Sequence, residues 1–222
     1  MSLRKFAGVA AALVVLALVY ACGPARATTT PPGPGIFLQD DFSNPMSGWD
    51  RHTSADVTTD YDNGRYLIAI GQPGVDVWAK PGLDLTDVAV QVEAQATAGP
   101  TNNEYGVMCR YQRSGDGKNS FYFFFISSDG YYALGKVSND TRKILSPAGG
   151  SFQPSSAIKP AAVNLLAATC QGDRLSLSVN GTPVGSFTDG ELTHGDIGLI
   201  AGTFDAGGVQ IHFDNLIARQ PS

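Results

Sequence analysis

The sequence predicts an all-β, antiparallel two-sheet sandwich over residues 36–220, and three observations lead to that prediction. Short runs of alternating apolar and polar residues recur along this region. Turn-forming residues separate the runs at intervals of about 8–12 residues, which is typical of sandwiches and barrels. Glycine occurs 26 times while charged residues make up only 16% of the chain, and no long apolar stripe of helical period follows residue 35. Together these features favour one domain of many strands joined by tight turns.

The first 22 residues have the layout of an export signal. Arg4 and Lys5 are the only early charges, and an uncharged run follows from residue 6 to residue 21. A basic start, an apolar centre and small residues at its end are the features of a signal peptide. The run is shorter than the ~20 residues that a tilted transmembrane helix needs. We therefore expect an apolar helical signal segment over residues 1–22 rather than a permanent membrane span.

The end of the apolar run resembles the lipobox of bacterial lipoproteins. It reads Val19-Tyr20-Ala21-Cys22, with an aliphatic and a small residue before the cysteine, although Tyr20 departs from the usual pattern. The resemblance implies that the Cys22 thiol is acylated and that the chain is tethered to a lipid bilayer outside the cytoplasm. Ala25-Arg26-Ala27 offers an alternative cleavage site, which would release a soluble secreted protein.

Residues 23–35 form a linker rich in proline, glycine and threonine. The segment reads GPARATTTPPGPG, a composition that cannot form a packed element and that favours an extended, semi-rigid chain. Fully stretched, it reaches at most about 45 Å. Such a segment suits a stalk that holds a domain away from a membrane, and a disordered tail without a spacing role is the alternative.

The alternating runs predict about twelve or thirteen strands between residues 36 and 220. The pattern and its turns, among them Asn63-Gly64 and Asn180-Gly181, are typical of hairpins. The strands with the plainest pattern are Arg65–Ile70, Val88–Gln95, Tyr105–Gln112, Ser120–Ile126, Tyr131–Val137, Asp173–Val179, Pro183–Phe187, Ile197–Thr203 and Val209–Ala218.

The cysteine count favours one disulfide bond. The chain has three cysteines, and lipidation of Cys22 would leave Cys109 and Cys170, each in a strand-like run. An exported protein works where disulfides persist. A bond between these two would close a loop of about sixty residues and contribute about 4 kcal/mol. Two buried free thiols packed as small apolar groups are the alternative.

Five segments resemble one superfamily of β-sandwiches, the concanavalin A-like lectin/glucanase jelly rolls. They are DDFS with GW near residues 40–49, YGVMCRYQ, FYFFFISSDGYY, GDRLSLSVNG and the ending GDIGLIAGTFDAGGVQIHFDNLIA. Within it the chain is similar to bacterial laminin-G-like domains and to the domain type described as a 3-keto-disaccharide hydrolase. The resemblance implies a jelly roll. It implies no single activity, because the superfamily holds lectins, glycosidases and modules without a known ligand.

Known catalytic patterns are absent from the sequence. Glu93, Glu104 and Glu191 are the only glutamates, and none belongs to the E-x-D-x-x-E strand of retaining glucanases. We also find no nucleophile elbow, no H-E-x-x-H and no phosphate-binding loop. The three histidines lack metal-ligand spacing, and a net charge of −5 without a basic cluster argues against nucleic acid.

A non-catalytic module that binds carbohydrate is therefore the leading functional expectation, and we expect it to be monomeric. A hydrolase acting on a modified disaccharide is one alternative. A structural or protein-interaction module of the cell envelope is the other.

A cluster of aromatic and basic residues is the candidate ligand site. Alternation along Tyr105–Gln112 places Arg110 on the face opposite Cys109, so Arg110 should point away from a core disulfide. Tyr122, Tyr132 and Lys136 follow in the neighbouring strands. Aromatic rings beside fixed polar groups suit a sugar. Packing of these rings in the core, and pairing of Arg110 with a carboxylate, are the alternatives.

A structural calcium ion is a second possible feature. Asp41 near the first strand and Asp214 in the last could meet, because jelly rolls often pair their terminal strands. Calcium takes six to eight oxygen ligands, partly from backbone carbonyls. Capping of a turn by Asp40 or Asp41 explains the same residues without a metal.

Replacing Cys22 by alanine tests the lipid tether. We expect Cys22→Ala to move the chain out of the membrane fraction, because the acyl chains contribute ~0.8 kcal/mol per buried methylene. Globomycin should likewise block processing of the wild-type precursor. Fractionation and precursor size on a gel provide the measurement. If neither treatment changes them, Cys22 is not the lipid-bearing residue.

Overall fold

The computed structural model describes residues 35–222, and within them the chain forms two antiparallel β-sheets and no helix. The all-β sandwich predicted from the sequence is confirmed, and it is consistent with a jelly roll. The predicted signal segment, Cys22 and nearly all of the linker lie outside the described residues. Across residues 35–222 there is also no helix of the length and hydropathy that would cross a membrane.

The described residues contain sixteen strands. These exceed the predicted twelve or thirteen partly because two-residue strands such as β2 and β11 carry no alternating pattern. The strands are β1 (Ile36–Asp40), β2 (His52–Thr53), β3 (Val57–Asp62), β4 (Arg65–Ile70), β5 (Asp76–Ala79), β6 (Val88–Ala98), β7 (Asn103–Arg113), β8 (Asn119–Ile126), β9 (Tyr131–Ser138), β10 (Thr141–Ser146), β11 (Gln153–Pro154), β12 (Asn164–Gln171), β13 (Arg174–Val179), β14 (Thr182–Thr188), β15 (Asp196–Thr203) and β16 (Val209–Arg219).

The strands divide into a nine-stranded and a seven-stranded sheet. The larger sheet runs β14-β13-β12-β6-β16-β4-β3-β2, with β1 paired to β16, so the first and last strands are neighbours as expected. The smaller sheet runs β10-β9-β8-β7-β15-β5, with β11 paired to β9. Both orders are non-sequential, so the chain crosses repeatedly between the sheets and joins them into one unit.

The main core lies between the two sheets and follows from the period of two along each strand. In β4, Tyr66, Ile68 and Ile70 are buried while the residues between them are partly exposed. In β7, Tyr105, Val107 and Cys109 face this core from the smaller sheet. Each buried side chain of this size contributes roughly 1.5–3 kcal/mol, so this layer is the largest stabilising term of the sandwich.

The smaller sheet also has an apolar outer face. Met108, Phe121, Phe123, Phe125 and Ile200 form a second buried cluster on the side away from the larger sheet. Strand β10, at the edge of the same sheet, places the Arg142 side chain over part of that face. At Gly135 in β9, an added Cβ would lie 2.1 Å from the Lys143 carbonyl oxygen and 2.7 Å from the Phe123 ring. Only glycine therefore lets β10 approach the sheet so closely.

A disulfide bond joins the two sheets. Cys109 in β7 and Cys170 in β12 are both buried, with their Cα atoms 6.8 Å apart and a sequence separation of 61. The predicted pairing is confirmed. Because β7 and β12 belong to different sheets, the bond ties the two layers of the sandwich directly.

Removing this bond should lower stability by a predictable amount. We expect the double variant Cys109→Ala with Cys170→Ala to lose about 4 kcal/mol in the free energy of unfolding, because the unfolded chain regains the entropy of a long loop. Denaturant unfolding followed by tryptophan fluorescence measures the loss. An unchanged unfolding midpoint would contradict a stabilising role.

Candidate functional site

A groove lies at one end of the seven-stranded sheet and has two connected parts. The first part has a volume of about 480 Å³ and the second about 390 Å³, and Phe204 and Asp205 line both. The first is lined by Asn102, Ser127, Asp129, Tyr131, Ser151, Phe152, Phe204 and Asp205. The second is lined by Gly74, Asp76, Glu104, Arg142, Thr203, Phe204 and Asp205.

Three aromatic rings line the first part of the groove. Phe152 and Phe204 meet edge to face, with ring centroids 5.9 Å apart and planes 89° apart. Both are only partly buried, and Tyr131 is 39% exposed. These rings come from loops and a strand end rather than from the core between the sheets. Phe152 packs against the second buried cluster, and all three rings keep part of their surface exposed.

Hydrogen bonds hold the polar wall of the groove in place. The buried Asn103 amide donates to the Pro100 carbonyl at 2.7 Å and to the Ser128 hydroxyl at 2.9 Å, while its oxygen accepts from the Ser128 backbone N–H at 3.1 Å. The neighbouring Ser127 hydroxyl donates to the Asp129 carboxylate. The turn that carries Asp129 is therefore fixed to the start of β7 before any ligand arrives.

The second part of the groove contains an arginine clamped by two carboxylates. The Arg142 guanidinium donates two hydrogen bonds of 2.6 Å to Glu104 and lies 3.6 Å from Asp76. It also lies over the rings of Phe123 and Phe125, at 4.9 Å and 5.0 Å from their centroids. The Glu104 side chain is 1% exposed and that of Arg142 is 31% exposed. Arg142 is therefore fixed in place while part of it still reaches the solvent.

A glycine makes room for the two carboxylates. A Cβ added at Gly202 would lie 2.3 Å from an Asp76 oxygen and 2.8 Å from a Glu104 oxygen. Asp76 in β5 and Glu104 in β7 are both in register with Gly202 of β15, which lies between them. The absence of a side chain there lets both carboxylates lean over β15 towards Arg142.

Burial raises the pKa of Glu104 to about 7, even though Arg142 opposes the shift and Asp76 adds to it. Burial also acts to lower the pKa of Arg142, but its bonds with Glu104 outweigh this and raise it. One guanidinium shared by two carboxylates cannot stabilise both negative charges fully. Since both Glu104 oxygens accept from Arg142, we assign Glu104 to positioning Arg142 rather than to donating a proton to a substrate.

Arg110 is not on an exposed face, contrary to the sequence-based expectation. It is 1% exposed and has a left-handed φ of 55°, within a bulge between Cys109 and Gln112. The bulge interrupts the alternation that placed Arg110 opposite Cys109. Its guanidinium donates to the carbonyls of Thr86, Gly172 and Leu192 and pairs with Asp87 at 3.2 Å. Arg110 therefore ties loops together inside the fold, where a ligand does not reach it.

Tyr122 and Lys136 also serve internal contacts. The Tyr122 hydroxyl donates to Asp189 at 2.6 Å and accepts from the Leu192 backbone N–H at 3.0 Å. The Lys136 ammonium pairs with Asp189 and Glu191. The structure thus links Tyr122 and Lys136 through Asp189.

Tyr132, the last member of the predicted set, is half-buried and packs against the core between the sheets. Arg110 lies 6.0 Å from the centroid of the Tyr122 ring. The four predicted residues therefore do not form one exposed binding face.

Asp41 and Asp214 lie close enough to influence each other. Asp41 caps a turn by accepting from the Ser43 N–H at 3.0 Å and hydroxyl at 2.7 Å, and its pKa is lowered. Burial raises the pKa of Asp214, and the charges of Glu93 and Asp41 add to the effect. Among residues 35–222, no three histidine, cysteine or acidic side chains are arranged to hold a metal. Calcium binding at Asp41 and Asp214 stays a prediction.

Sequence reasoning missed the groove because most of its residues lie in turns. Phe204 and Asp205 follow β15, and Asp129 lies between β8 and β9. The sequence signal that could have indicated the groove was an aromatic residue beside an acidic residue in one turn, Phe204 and Asp205, and an acidic residue in another turn, Asp129. Strand alternation alone could not show that these turns meet at the same end of the sheet.

Solved structures with the same fold include carbohydrate-binding proteins and enzymes. The carbohydrate-binding module CBM66 from Bacillus subtilis matches with a TM-score of 0.60 and 16% identity, over 79% of this chain and 97% of that one. A Bacillus subtilis protein of unknown function with a galectin-like fold matches with a TM-score of 0.63 and 9% identity, over 84% and 96%. The catalytic domain of an endo-1,3-beta-glucanase (laminarinase) from Thermotoga petrophila matches with a TM-score of 0.57 and 8% identity, over 84% and 98%.

At these identities the matches show the fold alone. No protein-family model and no curated protein sequence matches the chain.

The contacts of Arg142 with Glu104 and Asp76 should make the free energy of unfolding depend on pH. The pKa of Glu104 is about 7 in the folded chain against 4.5 ordinarily, so the stability that its protonation contributes is present at low pH and lost as the pH rises from about 4.5 to about 7. Glu104→Gln cannot titrate. Over this window we expect wild type to lose on the order of 3 kcal/mol relative to Glu104→Gln. Free energies of unfolding, measured for both proteins between about pH 4.5 and pH 7, test this expectation. If the free energies of the two proteins change with pH in parallel, the pKa of Glu104 is not raised.

Proposed function

We propose that the groove binds a neutral carbohydrate and that the protein is a non-catalytic glycan-binding module acting outside the cytoplasm. The observation that carries this proposal is the meeting of the partly exposed Phe152 and Phe204 rings and the Tyr131 ring with Asp129 and Asp205 in one groove. Sugars present apolar C–H faces and rims of hydroxyl groups, so they need both kinds of partner.

Each component of the groove has a defined role in this proposal. A sugar ring stacks on Phe204 or Phe152, which both present partly exposed faces. Its hydroxyl groups donate to the carboxylates of Asp129 and Asp205, and the Asn102 amide contributes a donor and an acceptor. Because the wall is already fixed by internal hydrogen bonds, binding loses little side-chain entropy.

The charges in the groove favour a neutral sugar over an acidic one. Arg142 is the only cation among the described residues that line either part, and Glu104 and Asp76 already pair with it. Asp129 and Asp205 add two exposed negative charges. A uronic acid or a sulfated sugar would meet charges of its own sign, which disfavours binding.

The comparisons support a glycan-related role, since proteins of this fold include a carbohydrate-binding module. The predicted export signal and the acylation of Cys22 would place the groove where extracellular glycans are found. The alternative of a hydrolase has the neighbouring carboxylates of Asp76 and Glu104 in its favour, but both oxygens of Glu104 are engaged by Arg142. The alternative of a protein-interaction module predicts no binding to sugars.

A glycan array tests the proposal. The full-length chain, kept in a detergent without a sugar headgroup, should bind neutral glycans and not uronic or sulfated ones. Phe204→Ala should weaken binding about tenfold by removing one stacking surface. Phe37→Ala is the matched control, because Phe37 is 39% exposed on β1 of the other sheet and should leave binding unchanged.

Several outcomes would oppose the proposal. Equal binding by Phe204→Ala and wild type would place the site elsewhere, and a preference for acidic glycans would contradict the charge argument. Release of shortened sugars, detected by chromatography, would favour the hydrolase.

A further inference from the structure

Strand β5 presents a row of functional side chains on the outer face of the seven-stranded sheet. Asp76 and Trp78 of β5 are two residues apart, so they share one face, and Lys80 directly follows the last residue of the strand with its ammonium over the Tyr111 ring. Asp76 and Trp78 are paired with Gly202 and Ile200 of β15, and β5 is the last strand of its sheet. The row therefore lies at an edge of the sheet, beginning at the carboxylate that already lines the groove.

Trp78 belongs to a platform of three aromatic rings. Its ring centroid lies 6.1 Å from that of Tyr111 and 5.7 Å from that of Phe121, and Tyr111 lies 6.1 Å from Phe121. Phe121 is only 2% exposed and supports the platform from below, whereas Trp78 and Tyr111 are partly exposed. We call Trp78, Tyr111 and Phe121 the aromatic platform.

Polar groups surround the aromatic platform in a fixed arrangement. The Tyr111 hydroxyl donates to the Asn119 side-chain oxygen at 2.8 Å. The Lys80 ammonium lies 5.0 Å from the centroid of the Tyr111 ring and donates to Asp50 at 2.8 Å. The platform thus combines partly exposed rings with polar groups held in place, whereas the polar groups of the groove are mainly carboxylates.

The aromatic platform and the groove are neighbours along β5. Trp78 of the platform lies two residues after Asp76, which lines the groove. Two residues of an extended strand span about 7 Å, so the Trp78 backbone follows Asp76 at that distance on the same face. A sugar ring stacked on Phe204 borders the second part of the groove, which Phe204 and Asp76 line together, so its linked neighbour would extend along β5 towards the indole. Neither Trp78 nor Tyr111 lines the groove itself.

We propose that the glycan site extends along β5, so that the ligand is an oligosaccharide with one sugar in the groove and the next stacked on the aromatic platform. This inference rests on the proposed function of the groove. It names the ligand class more narrowly, as a chain of linked neutral sugars rather than a single terminal sugar. Lys80 would then donate to a hydroxyl group of the sugar over the platform.

Titration calorimetry with sugars of increasing length tests the extension. The probes are glucose, fructose and galactose, each with its own di-, tri- and tetrasaccharide series, added to the full-length chain in a detergent without a sugar headgroup. Within the series that binds, we expect wild-type affinity to rise about tenfold from the monosaccharide to the longer oligomers. Trp78→Ala should lose that rise and keep the affinity for the monosaccharide. Trp78→Phe should restore most of the rise, since a ring remains.

Tryptophan fluorescence gives a second readout that separates stacking from a loss of folding. The chain has two tryptophans, and Trp49 is buried with its indole N–H donated to Asp40 at 3.0 Å. A sugar on the platform should therefore change the emission of Trp78 alone. The response should be present in wild type with the longer oligomers and absent in Trp78→Phe, while unchanged Trp49 emission reports that the variant is folded.

The outcomes distinguish this inference from the proposed function. Affinity that does not grow with sugar length, or growth that survives in Trp78→Ala, overturns the extension and leaves the groove in place. Absence of binding by every probe overturns both. Loss of monosaccharide binding in a folded Trp78→Ala would place the first sugar on the platform and would also overturn the arrangement proposed here.

Discussion

Strand β8 carries an aromatic or aliphatic side chain at every position from Phe121 to Ile126, so both of its faces must be kept from water. The larger sheet covers Tyr122, Phe124 and Ile126. The opposite face needs a cover of its own, and β10 with Arg142 supplies part of it. The second apolar cluster and the placement of Arg142 at the edge of the groove both follow from this single requirement.

Arg142 covers aromatic rings and so brings a positive charge to the outer face of the sheet. The carboxylates that pair with this charge form one wall of the groove. Glu104 and Asp76 reach Arg142 across Gly202, which has no side chain to block them. A carboxylate of such low exposure is stable only with a partner, and an arginine over two phenylalanines is well placed to provide one. The clamp that completes the core therefore also builds one wall of the candidate site.

The sequence allows a good prediction of the sandwich and a poor one of the site. Alternation predicts β4 at Arg65–Ile70 with the bounds that the structure has, and the cysteine count predicts the bond between Cys109 and Cys170. Alternation fails at Arg110, because a bulge reverses the direction of one side chain and nothing in the local pattern marks it. The groove depends on turns that are distant in sequence, so its assembly follows from sheet order rather than from any local signal.

The two ends of the sandwich are built differently. Near the start of β6, Arg110 and the disulfide seal one end, and Ile36 enters the fold there because it pairs with Arg219, which in turn pairs with Ala89. The groove lies beyond the opposite end of β6, roughly 30 Å away along the strand. The sealed end and the groove therefore lie at opposite ends of the described domain, so Arg110 and the disulfide can stabilise the sandwich without contacting the candidate site.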